Sequence, residues 1–213
     1  MFAGVLSDDA KNALAILGKH GVVSEAYLAG GSALALHYGH RKSEDLDFFS
    51  PKPFDPHAMS ATLSTLGQFV ESFAEGRSLI GEFQGVKYSY FQYHYPLLYP
   101  TVSFSAVSLA DPRDIAAMKI AAIMDRRTKR DFVDLYEFCH TGISIENILT
   151  YYDRKYGAFE NNLFSIVRSL GYFDDAEKGD MPEMLISISW EDVKEFFAAE
   201  SIRLGKVFLT KES

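Results

Sequence analysis

The stretch Leu28-Ala-Gly-Gly-Ser-Ala-Leu-Ala-Leu36, continued by His40-Arg-Lys-Ser-Glu-Asp-Leu-Asp-Phe-Phe49, decides how this chain is read. Two glycines between an extended piece and a run of small and apolar residues let the backbone approach a ligand closely. The helix expected over Ser32 to Tyr38 points free N–H groups and the positive end of its dipole at that spot, which suits a phosphate. Ser32 adds a hydroxyl. Taken alone, Gly30-Gly31-Ser32 also fits a tight turn with a small capping residue. Asp45 and Asp47 shift the weighting, because residues two apart on a strand face the same side, about 7 Å apart at Cα. Carboxylates so placed repel unless a cation lies between them, and Mg2+ favours a few carboxylates with phosphate oxygens. A solvent-facing edge strand with alternating acids is the plain alternative. The order of the pieces (turn, then Arg41 and Lys42, then two carboxylates) is that of a nucleoside triphosphate site.

Outward from this segment the chain has two textures. Up to about Ala110, short β-rich runs alternate with short helical ones. A helix capped by Ser7 or Asp8 runs to Gly18, Glu25 to Ala29 is extended, and Asp45 to Ser50 is a strand stopped by Pro51. A helix follows from Asp55 to Leu66, then strands over Phe69 to Ala74, Leu79 to Gln84 and Val86 to His94. Tyr88 to Ala110 has no Asp, Glu, Lys or Arg, but its prolines and serines read as a strand with a proline-broken loop rather than a membrane span. Beyond it helical periodicity dominates. Helices are expected from Asp111-Pro112 to about Arg126, Lys129 to His140, Ser144 to Tyr156, Asn161 to Leu170, and Trp190 towards Lys206. The division expected is 1–110 and 111–213, with a cleft between a sheet domain and a helical one.

The 213 residues carry 29 acids against 21 bases, a formal charge of −8, which argues against a non-specific coat for duplex DNA. Residues 174–200 hold nine of those acids against Lys178 and Lys194, while Arg113, Lys119, Arg126, Arg127, Lys129 and Arg130 cluster where the two textures meet. The single cysteine, Cys139, excludes a disulfide framework and reads as core. His37 and His40 have no third ligand at metal spacing. The N-terminus lacks the basic and apolar regions of a secretory signal, so the expectation is a soluble, cytoplasmic protein with no membrane association.

Lys119 is the one charge in Ile115-Ala-Ala-Met-Lys-Ile-Ala-Ala-Ile-Met124. Either its stem snorkels to water or its ammonium meets an anion in a cleft. Asp131 and Asp134 follow on the next helix, where surface pairing of Arg127 with Asp131 and Arg130 with Asp134 is the plain reading.

Ala29-Gly-Gly-Ser-Ala-Leu-Ala-Leu-His-Tyr-Gly-His-Arg-Lys-Ser-Glu-Asp-Leu-Asp-Phe-Phe49 resembles the opening motif of the AbiEii/AbiGii toxin family, minimal nucleotidyltransferases of the DNA polymerase β-like superfamily. Gly85-Val-Lys-Tyr-Ser-Tyr-Phe-Gln-Tyr-His-Tyr-Pro-Leu-Leu98 and the segment from Leu109 to Tyr136 match in the same order, so the likeness spans about residues 25–140. The resemblance implies an α+β protein: a minimal nucleotidyltransferase fold, a mixed sheet with flanking helices, followed by a C-terminal helical domain. It implies transfer of a nucleotide from an NTP to a hydroxyl, with Asp45 and Asp47 holding Mg2+ (or Mn2+). Gly30, Gly31, Ser32, Arg41 and Ser43 would bind the nucleotide, with Lys119 facing its phosphates. Asp131 is the preferred acid of the family's last motif, with Asp134 the alternative. The implied acceptor is RNA, the 3′ end of a tRNA, with Arg126 to Arg130 as its footprint, and a cognate antitoxin is an implied partner in toxin–antitoxin or phage defence.

One position departs from the family pattern. Where many members place a third carboxylate, this chain has Ser89, neither a good Mg2+ ligand nor a base at neutral pH. Activity with one metal, recruitment of Glu44, Asp131 or Asp134, and loss of catalysis all remain open readings. A nucleotide- or partner-binding protein without transfer is therefore the second hypothesis, and transfer to a small-molecule hydroxyl the third.

Overall fold

The computed structural model describes residues 1–209. The chain divides into two units, Met1–Asp111 and Pro112 onward.

In the first unit α1 (Asp8–Lys19) starts on Ser7, whose Oγ accepts from the Ala10 N–H, and buries Ala10, Ala13, Leu14 and Leu17 along one face. Then come β1 (Tyr27–Ala29), α2 (Gly30–Tyr38), β2 (Leu46–Ser50) and α3 (Pro56–Leu66), the last opened by Asp55 with proline at its first position. Strands β3 (Phe69–Glu75), β4 (Ser78–Phe83), β5 (Val86–Gln92), β6 (Val102–Phe104) and β7 (Val107–Leu109) complete one mixed sheet in the order β3-β4-β5-β2-β1-β7-β6. β2 runs parallel to β5 and antiparallel to β1, and β1 runs parallel to β7. β2 is the middle strand of seven, and it alternates Leu46, Phe48 and Ser50 buried with Asp47 and Phe49 half-buried. That alternation lays one face on the core and leaves the acids on the other.

The β6–β7 hairpin differs from the expected proline-broken loop. Its strands are three residues each, and its two-residue turn is Ser105-Ala106, with φ of 48° and 60°. Such turns favour Asn-Gly or Asp-Gly, so the sequence carries no turn signal there. The β4–β5 hairpin, by contrast, turns at Gln84-Gly85, both left-handed, where the glycine marks it.

The second unit is helical: α4 (Pro112–Asp125), α5 (Lys129–His140), α6 (Ile145–Tyr156), α7 (Phe159–Leu170), the single turn α8 (Asp174–Glu177) and α9 (Trp190–Leu204). α4 packs against α5, α6 and α7, which is why its apolar residues run almost all round it. Phe132 of α5 sits among Phe173, Trp190 and Phe197 with ring centroids 5.4–5.9 Å away. Lys155 Nζ lies 2.8 Å from Asp114 Oδ1, both side chains fully buried, tying α6 to α4. Ser189 and Asp192 form a reciprocal cap that starts α9. No helix among the described residues is long and apolar enough to cross a membrane.

Candidate active site

The predicted site residues fall into two clusters, one in each unit. The first is built on the β1–α2 turn and the approach to β2. Gly30 has φ +68°, a conformation that glycine alone adopts without strain, and a Cβ placed there would lie 3.1 Å from Asp47 Oδ2. A Cβ on Gly31 would lie 2.2 Å from Arg41 Nη2. The two glycines therefore bring the start of α2 directly against one carboxylate and one guanidinium. Asp47 pairs across the sheet with Ala29, which immediately precedes the turn. The sheet register thus fixes the distance between turn and acid.

The hydroxyls close the loop. Ser32 Oγ donates to the Asp45 carbonyl and lies 2.9 Å from Ser43 Oγ, so the first turn of α2 grips the segment that carries both acids. Arg41 is buried and its Nη1 donates to the Lys42 carbonyl at 2.9 Å. The sequence reading gave Ser32 to the phosphates; the structure adds a second task, holding residues 43–45 in place. Asp45 immediately precedes β2, and Asp45 and Asp47 are both half-buried.

Two side chains of β5 flank the acids: Ser89, singled out in the sequence, and Lys87, which was not. Ser89 of β5 is directly beside Asp47 in register, on the same sheet face, and 3% exposed. Lys87, two residues earlier and so on that face too, places Nζ 3.9 Å from Asp45 Oδ2. The strand period that paired Asp45 with Asp47 also pairs Lys87 with Ser89, so the signal for Lys87 was present. The donor set is all oxygen and fits one hard cation shared with substrate phosphates. Ser89 therefore sets a hydroxyl, and not a further carboxylate, beside Asp47.

The second cluster lies in the helical unit. Lys119 Nζ of α4 is 2.9 Å from Asp131 Oδ1 and 2.6 Å from Asp134 Oδ2 of α5, with the lysine side chain 5% exposed and both acids fully buried. Of the two readings open for Lys119, the ammonium does meet an anion, and the anion is the chain's own. Asp131 also accepts from Arg126 Nε and Nη2 at 2.9 and 3.0 Å and from Thr128 Oγ1 at 2.7 Å. Burial by itself pushes the Asp131 carboxyl up, but Lys119 and Arg126 outweigh it and hold the group well below the usual carboxylate range. The plain alternative, a surface pair of Arg127 with Asp131, is not what forms: Asp131 is buried against Lys119 and Arg126, and Arg127 lies 3.5 Å from Asp175. The Arg126 side chain, 61% exposed, is where this cluster reaches water.

Burial pushes the Cys139 thiol up to about 12, aided by Glu200, which suits a core residue and not a nucleophile. Among the described residues no group of three or more His, Cys, Asp or Glu side chains is placed to hold a metal.

Comparison with known proteins adds the following. The family described as nucleotidyl transferase AbiEii toxin, type IV TA system, matches residues 13–109. An uncharacterized protein of Aquifex aeolicus (strain VF5), aq_aa25, is 35% identical over 197 residues, covering 90% of this chain and 94% of that protein. The fold resembles a putative nucleotidyltransferase from Helicobacter pylori, with TM-score 0.55 and 15% identity, covering 97% of this chain and 99% of the other. It also resembles JHP933 from Helicobacter pylori, with TM-score 0.57 and 16% identity, covering 97% and 96%.

Proposed function

The chain belongs to the AbiEii nucleotidyltransferase toxin family, and from that premise we propose that it transfers a nucleotide from an NTP to a hydroxyl at the 3′ end of an RNA, a tRNA in the first instance. The observation that carries the reading is the close fit of Gly30 to Asp47 and of Gly31 to Arg41 at the head of α2. That fit gathers backbone N–H groups, a carboxylate and a guanidinium around one small volume, the chemistry that a metal-chelated triphosphate requires.

Asp45 and Asp47 would hold Mg2+ or Mn2+, which when bound neutralises the phosphate oxygens and polarises the α-phosphorus. Gly30 and Gly31 hold the terminal phosphates through their N–H groups. Arg41 supplies positive charge beside them, and Ser32 with Ser43 keeps the acid-bearing loop in register. The acceptor oxygen bonds to the α-phosphorus as the bridging bond to the β-phosphate breaks, and pyrophosphate leaves. The acceptor's proton passes to solvent, because Ser89 is no base at neutral pH. In the second unit Lys119 positions Asp131, and Asp131 positions Arg126, whose exposed guanidinium offers positive charge to the RNA. A cognate antitoxin is the expected protein partner.

Incubation with labelled NTPs, Mg2+ and total tRNA tests this directly. Label is expected in RNA with the wild-type chain and is lost in Asp45→Ala. Absence of label from both RNA and protein, together with an Asp45→Ala chain that behaves as wild type in cells, would overturn it. One observation favours a second reading: Ser89 sits buried beside Asp47. A member weakened by that serine binds NTP by calorimetry and shows no turnover.

A further inference from the structure

We propose that the helical unit carries a separate docking site for one phosphate and the adjoining base of a single-stranded polynucleotide, lined by Arg127, Ser165, Arg168, Ser169 and Tyr172. The proposal rests on the reading of RNA as the acceptor. The cavity measures about 280 Å³ and also touches Asp175. Arg127 follows α4 with φ +48°, at a helix end where glycine is the usual residue. An arginine there bears a backbone cost that glycine would not.

Its partners are loosely met. Nη2 lies 3.4 Å from Ser169 Oγ and Nη1 3.5 Å from Asp175 Oδ2, both at the long limit of polar contact. Nε is buried and makes no hydrogen bond among the described residues. The two Nη groups of a guanidinium can meet two oxygens of one phosphate, and both here have only long contacts to give up. Arg168 is exposed one residue before Ser169, and Ser165 stands one turn earlier on the same face of α7.

Charge favours an anion. Asp175 is already claimed by Lys178 at 2.9 Å, so two guanidinium groups outweigh it and the weak negative end of α7. The Arg127 guanidinium also sits 5.5 Å from the centre of the Tyr172 ring, and Tyr172 is 36% exposed. A guanidinium beside an accessible aromatic ring offers a phosphate site and a stacking face within one nucleotide's reach. A free anion needs no ring, which is why a polynucleotide is the better occupant.

The test measures binding of a short fluorescent single-stranded RNA to the full chain without NTP or added metal, so that it stands apart from transfer. Arg168→Glu and Ser165→Glu alter exposed positions and are expected to melt at the wild-type temperature. Each is expected to weaken RNA binding about tenfold and to lower the slope of log affinity against log salt by about 0.7. Tyr172→Ala is expected to weaken binding with little change in that slope. Orthophosphate and pyrophosphate alone are expected to bind at least about tenfold more weakly than the RNA. Folded variants with wild-type affinity and salt slope would overturn the proposal. Orthophosphate binding as tight as the RNA would make this a free-anion site and overturn the polynucleotide assignment. If RNA binding behaves as expected while no nucleotide is transferred, the docking site stands and the catalytic reading falls.

Discussion

At the scale of single residues, Gly31 carries the sharpest expectation. An alanine Cβ would meet Arg41 Nη2 at 2.2 Å, and Arg41 is buried, so the guanidinium must swing away from the turn. Gly31→Ala is therefore expected to lower NTP affinity by about tenfold or more, the loss of one charge-assisted contact. Gly30→Ala meets a different obstacle, a left-handed backbone, and is expected to cost about 1–2 kcal/mol in urea denaturation. Asp131 makes a prediction about pH. Its carboxyl is held low by Lys119 and Arg126 in the folded chain, so it contributes stability above the unfolded value near pH 4 and loses it as the pH falls further. The wild-type urea midpoint should drop steeply below about pH 4. In Asp131→Asn the midpoint starts lower and that drop is shallower; equal slopes would contradict the assignment. The residues of the first cluster were legible in sequence because turn, cations and acids sit within twenty positions. The buried state of Lys119 was half legible: an isolated charge in an apolar helix asks for a partner, but only the packing of α4 on α5 shows that Asp131 and Asp134 provide it.

At the scale of elements, register decides. β2 and β5 run parallel with Asp47 beside Ser89, so Ser89→Asp would set two carboxylates on neighbouring strands. Without metal that variant is expected to lose about 1–3 kcal/mol, the cost of a buried, repelled charge. Added Mg2+ should restore it, with a larger rise in melting temperature than in the wild type, and transfer should increase. A variant indifferent to Mg2+ in both respects would contradict the placement of the metal at Asp45 and Asp47. The Asp114–Lys155 pair between α4 and α6 is a stability device by its burial. Asp114→Ala should cost about 3–5 kcal/mol, whereas replacing both partners by methionine recovers most of it. That pair was invisible in sequence, since its members stand 41 positions apart with no periodic relation. The long helices were legible from periodicity and caps; the single turn α8 and the β6–β7 hairpin were not, the hairpin because Ser105-Ala106 makes a turn that glycine or asparagine normally signals.

At the scale of the whole molecule, the two units divide the chemistry as they divide the chain. Glycine, carboxylate and hydroxyl groups suited to a chelated phosphate lie within residues 30–47, and the exposed arginines 126 and 168 lie in the helical unit. The acidic window 174–200 supplies seven of the eight net negative charges, so the remainder of the chain is nearly neutral, and that window reaches the arginine cavity through Asp175. The claim on which the account turns is that the β1–α2 turn and the acids of β2 together seat a metal-bound triphosphate. Calorimetric titration of the full chain with a non-hydrolysable NTP, with and without Mn2+, tests it most directly. The account predicts binding strengthened at least about tenfold by the metal, and loss of that metal dependence in Asp45→Asn and Asp47→Asn. Metal-independent binding, or asparagine variants that bind metal and nucleotide as the wild type does, would contradict it.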